Sequence, residues 1–330
     1  MFILSEVGLP KDYTRPTSSG KQFYRNKFTL TEQTLVNLKT KDDVTLRGVF
    51  FQPEHKPRSG NAVLHIHDWF GSFLDEYNFV YRTAEYLTCE GHCFLAINTR
   101  GSGVAWAWPQ TLGLDAMSAP KKWMGGAFDL FDDCVQDIQV GIDFLNNEGC
   151  PDIVLEGIGL GASKVIHYQS ETLNPKVKSI IINNPKDYVG LEMSQQDFEE
   201  KLVTAQNILS NERDSNVFVT KLLGYPLCAA SYVNIFGPTG RRKGIHWLIG
   251  LREEQPHDLD KITSPILVIR PFFDDSILCK FDYLELIKRR VVGRCETIDA
   301  HPLYLRSNSW NNPNEALAET ISEWVGDVLP

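Results

Sequence analysis

The sequence predicts an α/β fold, in which a doubly wound, mostly parallel sheet is flanked by helices and interrupted by a helical cap insertion. Short apolar runs alternate with segments of helical spacing, as in 61–67 followed by 74–87 and 152–156 followed by 160–170. This alternation is lost between about residues 188 and 257. Strands alternating with helices indicate a parallel sheet, and the interruption indicates an inserted unit above one sheet edge.

Length and charge restrict the class of protein and the class of partner. A chain of 330 residues, 42% hydrophobic and 23% charged, suits one large α/β domain with an insertion. The net charge of −9 argues against nucleic acid or an anionic membrane surface as the main partner. We therefore expect a small-molecule substrate, no nucleic-acid partner, no membrane partner and a possible homodimer.

The amino-terminal residues and the cysteines favour a cytoplasmic protein. The first six residues lack the basic region and the apolar length of a signal peptide, and no later run is long enough to span a bilayer. The seven cysteines are scattered without C-x-x-C spacing, which predicts reduced, mostly structural thiols. No metal-ligand spacing stands out, so we expect neither a metal nor a cofactor.

The elements are assigned in chain order from polarity and periodicity. The expected units are a polar amino-terminal arm (1–29), a first part of the core (30–185), a cap insertion (186–260) and a second part of the core (261–330). The strands expected in the core are 33–38, 45–51, 61–67, 93–97, 152–156, 177–182, 265–269 and 294–298. The helices expected are 74–87, 128–145, 160–170 and 314–328, each with apolar residues at helical spacing.

One motif carries the functional argument. Gly157-Ile158-Gly159-Leu160-Gly161 lies between the apolar run 152–156 and a helical stretch. A strand, then G-x-S-x-G, then a helix form a nucleophile elbow, whose central serine, cysteine or aspartate occupies a strained turn. Here the central residue is Gly159, which has no side chain. The usual acyl-enzyme cannot form at this position.

Four further segments, in the same order along the chain, resemble the α/β-hydrolase superfamily over roughly residues 30–330. They are His65-Ile66-His67-Asp68-Trp69-Phe70-Gly71, similar to the H-G-x-x-G oxyanion loop, Thr99-Arg100-Gly101-Ser102-Gly103, similar to the R-G-x-G turn, the strand 266–269 followed by Asp274, and Ile298-Asp299-Ala300-His301. The oxyanion loop departs from the family pattern because Asp68 stands where glycine is usual.

The resemblance implies roles for the remaining triad positions. His301 would be a general base, and Asp274 would orient and charge it, with Asp275 as the adjacent alternative. The backbone N–H groups of Trp69 and Leu160 would form an oxyanion hole, because they need no particular side chain. Gly159 marks the vacant nucleophile position between them.

Several residues near this site have two interpretations. Asp68 opposes acyl-transfer chemistry at an anion-stabilising site, and it serves either as a second acid/base or as a partner of the local backbone. Phe70, Trp106 and Trp108 lie in loops expected to meet at the mouth of the site, where they would line the substrate pocket. Ser163 follows Gly159 by one helical turn, which places it beneath the pocket floor.

These residues lead to three functional hypotheses. The first is an enzyme that uses a His301–Asp274 dyad for non-covalent acid/base chemistry, of lyase, decarboxylase, cyclase or dehydratase type, on a small carbonyl-containing, polyketide-like metabolite. The second is a non-catalytic ligand-binding pseudoenzyme. The third is a serine esterase or thioesterase whose nucleophile was mutated to Gly159.

A dinucleotide site is a weaker interpretation of the same glycines. Gly157, Gly159 and Ala162 fit a loose G-x-G-x-x-A spacing after a strand. The following strand ends in Asn183-Asn184 instead of the acidic residue that binds the ribose. We therefore expect no nucleotide cofactor.

Overall fold

A computed structural model describes residues 32–53, 61–75, 77–109, 121–211, 216–222, 224–244, 257–271, 283–300 and 313–329. The strands are β1 (Glu32–Lys39), β2 (Thr45–Gln52), β3 (Ala62–Ile66), β4 (Cys93–Asn98), β5 (Trp106–Pro109), β6 (Lys121–Met124), β7 (Ile153–Gly159), β8 (Val177–Pro185), β9 (Phe218–Leu222), β10 (Tyr225–Cys228), β11 (Ile266–Pro271) and β12 (Cys295–Ala300). The helices are α1 (Tyr77–Cys89), α2 (Cys134–Asn147), α3 (Leu160–Thr172), α4 (Tyr188–Met193), α5 (Phe198–Ser210), α6 (Ala229–Phe236), α7 (Tyr283–Arg290) and α8 (Pro313–Val328).

Eight strands form one sheet in the order β1-β2-β4-β3-β7-β8-β11-β12. The pairs from β4 to β12 are parallel, whereas β2 is antiparallel to both β1 and β4. The inner strands are buried on both faces, because helices cover each side; every residue of β3 is buried. The predicted doubly wound, mostly parallel sheet is confirmed.

Two layers of helices cover the two faces of the sheet. On one face, α2, α3 and α7 pack against alternate strand residues such as Leu64 and Ile66. On the other face, α1 and α8 pack against the intervening residues, such as Val63 and Phe94. Because side chains alternate along a strand, each buried strand contributes to both layers.

Among the described residues, no helix combines the length and the apolarity needed to cross a bilayer.

The structure differs from the sequence expectation at two hairpins. Trp106 and Trp108 were expected in loops, but they lie on β5, which pairs with β6. The strands β9 and β10 form a second hairpin, where the sequence showed no strand rhythm. Both hairpins are made of strands of four or five residues, too short for a period-two pattern to stand out from the surrounding glycines and prolines.

The chain between β8 and β11 carries α4, α5, the β9–β10 hairpin and α6, and we call residues 186–260 the insertion. Its apolar side chains, including Tyr232 and Phe236, form one buried cluster with Trp69, Phe131 and Leu160 of the sheet unit. The insertion therefore packs over the carboxyl edge of the sheet, at the point where β7 passes into α3.

Candidate functional site

The turn between β7 and α3 has the backbone of an elbow without its side chain. Gly159 ends β7 and caps α3 with φ 56° and ψ −116°. This region costs an L residue roughly 1–3 kcal/mol and is nearly free for glycine. Gly161 allows the helix to approach β3, because a Cβ there would lie under 3.0 Å from the carbonyl oxygen of Ile66. The strained path survives, but no nucleophile is attached to it.

The carboxylate of Asp68 occupies the volume of the missing side chain. A Cβ added at Gly159 would lie under 3.0 Å from both carboxylate oxygens and from the carboxyl carbon of Asp68. Real Cβ atoms essentially never come so close to another heavy atom. A side chain at position 159 and the observed position of Asp68 are therefore mutually exclusive.

Among the described residues, four hydrogen-bond donors hold this carboxylate. The N–H groups of Trp69 and Leu160 each donate to Oδ1 of Asp68 at 2.7 Å. The hydroxyl of Tyr188 lies 2.9 and 3.0 Å from the two carboxylate oxygens, and Nζ of Lys186 donates to Oδ2 at 2.9 Å. We call these four donors the Asp68 cradle. The two amides expected to form an oxyanion hole thus converge on an oxygen that the protein itself supplies.

The cradle is electrostatically complementary to a fixed anion. The side chains of Lys186 and Asp68 form an ion pair and are 35% and 18% exposed, so solvent screens it only in part. Leu160 is the first residue of α3, where the helix dipole and free N–H groups favour a negative charge. The Asp68 carboxylate therefore lies where the predicted oxyanion hole would hold the transition-state oxyanion of a hydrolase.

The aromatic residues beside Asp68 form a stack between the sheet unit and the insertion. Trp69 is buried and its indole N–H donates to the carbonyl of Gly126 at 3.1 Å. Its ring stacks on Phe70 at 5.1 Å, and Phe70 stacks on Tyr225 of the insertion at 4.6 Å. Phe70 has φ 60°, an uncommon and strained backbone for a bulky residue. The stack joins a strained loop to the partly exposed Tyr225.

The other aromatic residues proposed for the pocket are only partly described. The indole N–H of Trp106 donates to the carbonyl of Ser102 at 3.0 Å, which fixes the ring against the turn after β4. The backbone of Trp108 lies in β5, and its side chain is outside the described residues. Phe70 adjoins the Asp68 cradle through its stacking on Trp69.

The nearby histidines and Ser163 have structural roles. His65 contacts the carboxylate of Glu156 on the neighbouring strand, and both are buried. One ring nitrogen of His67 lies 2.6 Å from the carbonyl of Asp68, and the other accepts from the N–H of Thr99 at 3.0 Å. Ser163 is fully buried. His67 therefore fixes the loop that carries Asp68.

The arginine of the R-G-x-G turn is also structural. Arg100 is buried and binds the carboxylates of Asp42, Asp133 and Asp137. Burial opposes its charge, but the neighbouring carboxylates, with Asp137 foremost, raise the pKa of Arg100 above its ordinary value. The network fixes the turn after β4 against α2.

The remaining triad positions are not described by the structure, and two residues of the Asp68 cradle were not predicted from the sequence. Asp274, Asp275 and His301 lie outside the described residues; β11 and β12 end at 271 and 300, just before Asp274 and His301.

Sequence reasoning missed Lys186 and Tyr188. The available signal was their position directly after β8, at the carboxyl edge where β7 also ends.

One group among the described residues has the spacing of metal ligands. Donor atoms of His167, Glu171 and Asp258 lie within 4.8 Å of one another. The ammonium of Lys261 already bonds Glu171 at 3.2 Å and lies 4.0 Å from Asp258. Because a cationic side chain satisfies these carboxylates, we assign no metal to the group.

Comparison with known proteins identifies the fold. No protein-family model and no curated protein matches the sequence. Est1E from Butyrivibrio proteoclasticus, solved with ferulic acid bound, matches at 13% identity over 89% of this chain and 99% of that chain, with a TM-score of 0.57. An esterase from Pyrococcus furiosus matches at 16% identity over 91% and 92%, with a TM-score of 0.53.

A third solved structure supports the same conclusion. DcsB, in complex with its substrate analogue, matches at 10% identity over 90% of this chain and 100% of that chain, with a TM-score of 0.60. At such identities the likeness shows the fold alone. The chain has the α/β-hydrolase fold, as the motif order predicted.

Proposed function

We propose that this protein is a non-hydrolytic member of the α/β-hydrolase fold that binds a small apolar carbonyl compound at the carboxyl edge of its sheet. The observation that carries the proposal is the position of Asp68, whose carboxylate fills both the nucleophile volume and the oxyanion hole. One residue thereby removes the space for the attacking atom and the donors that would stabilise the product of attack.

The charge of Asp68 also opposes acyl transfer directly. Attack on an ester carbonyl creates a second negative charge, which the two amides of the hole would have to stabilise. Here Trp69 and Leu160 donate to Asp68, so the new oxyanion would lie beside an existing carboxylate. Like charges a few ångströms apart disfavour each other strongly in a partly buried site.

The same geometry weighs against the mutated-esterase hypothesis. A single replacement of serine by glycine at position 159 does not account for a carboxylate in the space of the missing side chain. A serine there would require Asp68 to leave the cradle. Gly159 and Asp68 are better explained as two matched departures from a hydrolase than as one inactivating change.

The class of ligand follows from what borders the cradle. Ligands of open α/β sheets bind at the carboxyl edge, here below the insertion. Tyr225 stacks on Phe70 through one ring face and is partly exposed, so its other face is an apolar surface for a ligand. The Lys186 side chain, one-third exposed, places a cation beside this surface. An aromatic or aliphatic body with one carbonyl group matches these surfaces.

Methyl ferulate tests both halves of the proposal, because it carries an aromatic ring and a hydrolysable ester. We expect the purified protein to bind it saturably, with quenching of tryptophan fluorescence, and to release no ferulate. A fluorophosphonate should label no residue stoichiometrically, because the elbow lacks an attacking oxygen. Ferulate release above the uncatalysed rate, or a stoichiometric adduct, would contradict the non-hydrolytic assignment.

The binding half has its own control. Tyr225→Ala should weaken binding of methyl ferulate. Tyr86→Ala should leave the binding unchanged, because Tyr86 lies on α1, which covers one face of the sheet and is not part of the insertion. Equal affinities for the wild type and both variants would place the ligand elsewhere. If neither methyl ferulate nor ferulic acid bound saturably, the proposed ligand binding would be wrong. Only the proposed absence of hydrolysis would then stand.

A second candidate function is the acid/base enzyme with a His301–Asp274 dyad. The observation favouring it is that β11 and β12 end just before these two residues, as the triad order requires. On this hypothesis His301→Ala should lower turnover of a carbonyl metabolite by about 10²–10⁴-fold while circular dichroism stays unchanged. Unchanged turnover in His301→Ala and Asp274→Asn would make the dyad a relic.

A further inference from the structure

A buried histidine on α3, the helix that follows the elbow, bridges two carboxylates from other parts of the chain. His167 lies on α3 and is almost wholly enclosed. Its Nδ1 is 2.9 Å from Oδ2 of Asp258, and its Nε2 is 3.5 Å from Oδ1 of Asp132. The ring of Phe131 packs against it at 5.3 Å. Both ring nitrogens thus face an acceptor-only group.

This arrangement suits the imidazolium and not the neutral ring. A neutral imidazole has one N–H, so its other nitrogen would present a lone pair to a carboxylate. Burial opposes the charge of His167, but the hydrogen bonds to Asp132 and Asp258 outweigh it and raise the pKa of the histidine above its ordinary 6.5. Protonation therefore strengthens both contacts at once.

The two carboxylates tie the exit of the insertion to α3. Asp258 also accepts the N–H of Gly244 at 2.6 Å. Asp132 also binds the ammonium of Lys243 and the amide of Asn234. Asp258 and these three partners belong to the insertion, whereas Asp132 and His167 belong to the sheet unit. The histidine therefore lies at the centre of a hydrogen-bond network that joins the two.

Gly244 is itself pressed against α3. It has φ 58°, and a Cβ there would lie under 3.0 Å from the carbonyl oxygen of Ser163. The chain leaving α6 thus passes directly over the helix, with no room for an intervening side chain. Loosening the contact between His167 and Asp258 would release the anchor of this close approach.

His167 is the histidine of this network whose charged form its neighbours favour. Burial favours the neutral acid, but hydrogen bonds from His167 lower the pKa of Asp258, as they do for Asp132 together with Lys243. Burial lowers the pKa of the adjacent His257 to about 4, which keeps it neutral above pH 5. The charged side chains of Lys243, Lys261 and Glu171 also face this network, and those of Arg290 and Asp260 act on His257.

We propose that protonated His167 fastens the exit of the insertion to α3, and that the fastening loosens as the pH rises. The stabilisation is complete below the pKa of an unfastened histidine, near 6.5, and is lost as the pH rises through the higher value of the fastened one. Between these two values the fastened population falls by up to about tenfold per pH unit relative to the released one. The consequence is a pH-controlled attachment of the insertion above the Asp68 site.

Hydrogen exchange of the Gly244 amide reports on this attachment, because that amide donates to the Asp258 oxygen that also contacts His167. After correction for intrinsic exchange, we expect its protection to fall severalfold or more between pH 6 and pH 9 in the full-length protein. His167→Gln should remove the pH dependence, since glutamine does not titrate. His92→Gln, at the start of β4, is the matched control and should retain the step.

Further arms keep the proposal testable if His167→Gln does not fold. Asp132→Asn removes one of the two carboxylates and should move the midpoint of the step to lower pH. Identical midpoints in Asp132→Asn and the wild type, or the same protection at pH 6 and pH 9 in the wild type, would overturn the proposal. A step that disappears with EDTA would also overturn it, because the titrating unit would then be a metal site.

Discussion

Gly159→Ser is expected to destabilise the protein by about 3 kcal/mol or more and to give no esterase activity. The new Cβ would need the volume of the Asp68 carboxylate, and the residue would keep a left-handed backbone. Asp68 would have to leave Trp69, Leu160, Lys186 and Tyr188 without their acceptor. Denaturant unfolding at fixed pH measures the change in the free energy of unfolding.

A double-mutant cycle separates the clash from the backbone strain. In an Asp68→Gly background, Gly159→Ser should lower the free energy of unfolding by about 1–3 kcal/mol less than it does in the wild type, because the carboxylate is gone. Gly103→Ser is the matched control, since Gly103 also has a left-handed φ of 66° but has no atom within 4 Å of an added Cβ. Equal costs in both backgrounds would show that Asp68 does not exclude a side chain at 159.

The double variant also reports on the rest of the site. With a serine at the elbow and the two amides free, fluorophosphonate labelling needs only a working base. Labelling of the double variant that is lost with His301→Ala would identify His301 as that base. Labelling of Gly159→Ser alone would contradict this geometry, because it would show that the Asp68 carboxylate moves away from the amides of Trp69 and Leu160 when a serine is present.

The sequence sufficed to predict the sheet and the elbow because both depend on local pattern. Buried strands such as β4 begin with a continuous apolar run, and the elbow glycines are needed where the helix approaches the sheet closely, as at Gly161. Chain order then placed each motif at a strand end. These features need no knowledge of side-chain conformation.

The occupied hole could not be predicted in the same way. That Asp68 differs from the family glycine was visible, and it was interpreted either as an acid/base or as a partner of the local backbone. In the described part of the chain, its partners combine the backbone of Trp69 with groups about 90 to 120 residues away, on α3 and after β8. Lys186 and Tyr188 carry no motif, so only the folded chain reveals them as donors.

Asp68→Ala is expected to cost about 2–4 kcal/mol of folding free energy, a large effect for one partly buried aspartate. It removes the acceptor shared by an ammonium, a hydroxyl and two backbone N–H groups, and a buried donor that loses its acceptor costs more than the net worth of a hydrogen bond. Asp75→Ala is the control. Asp75 is exposed and accepts from Ser72, so its loss should stay within about 0.5 kcal/mol.

Formate should restore part of the stability lost in Asp68→Ala, because the vacated cradle keeps the donors of a carboxylate site. The melting temperature should rise saturably with formate, as for any ligand that binds only the folded state, and formamide or chloride should have no such effect. No rescue, or equal rescue of Asp75→Ala, would mean that these donors do not form a site. A hydrolase reserves such donors for a transient oxyanion, whereas rescue would show that this protein uses them to bind a permanent one.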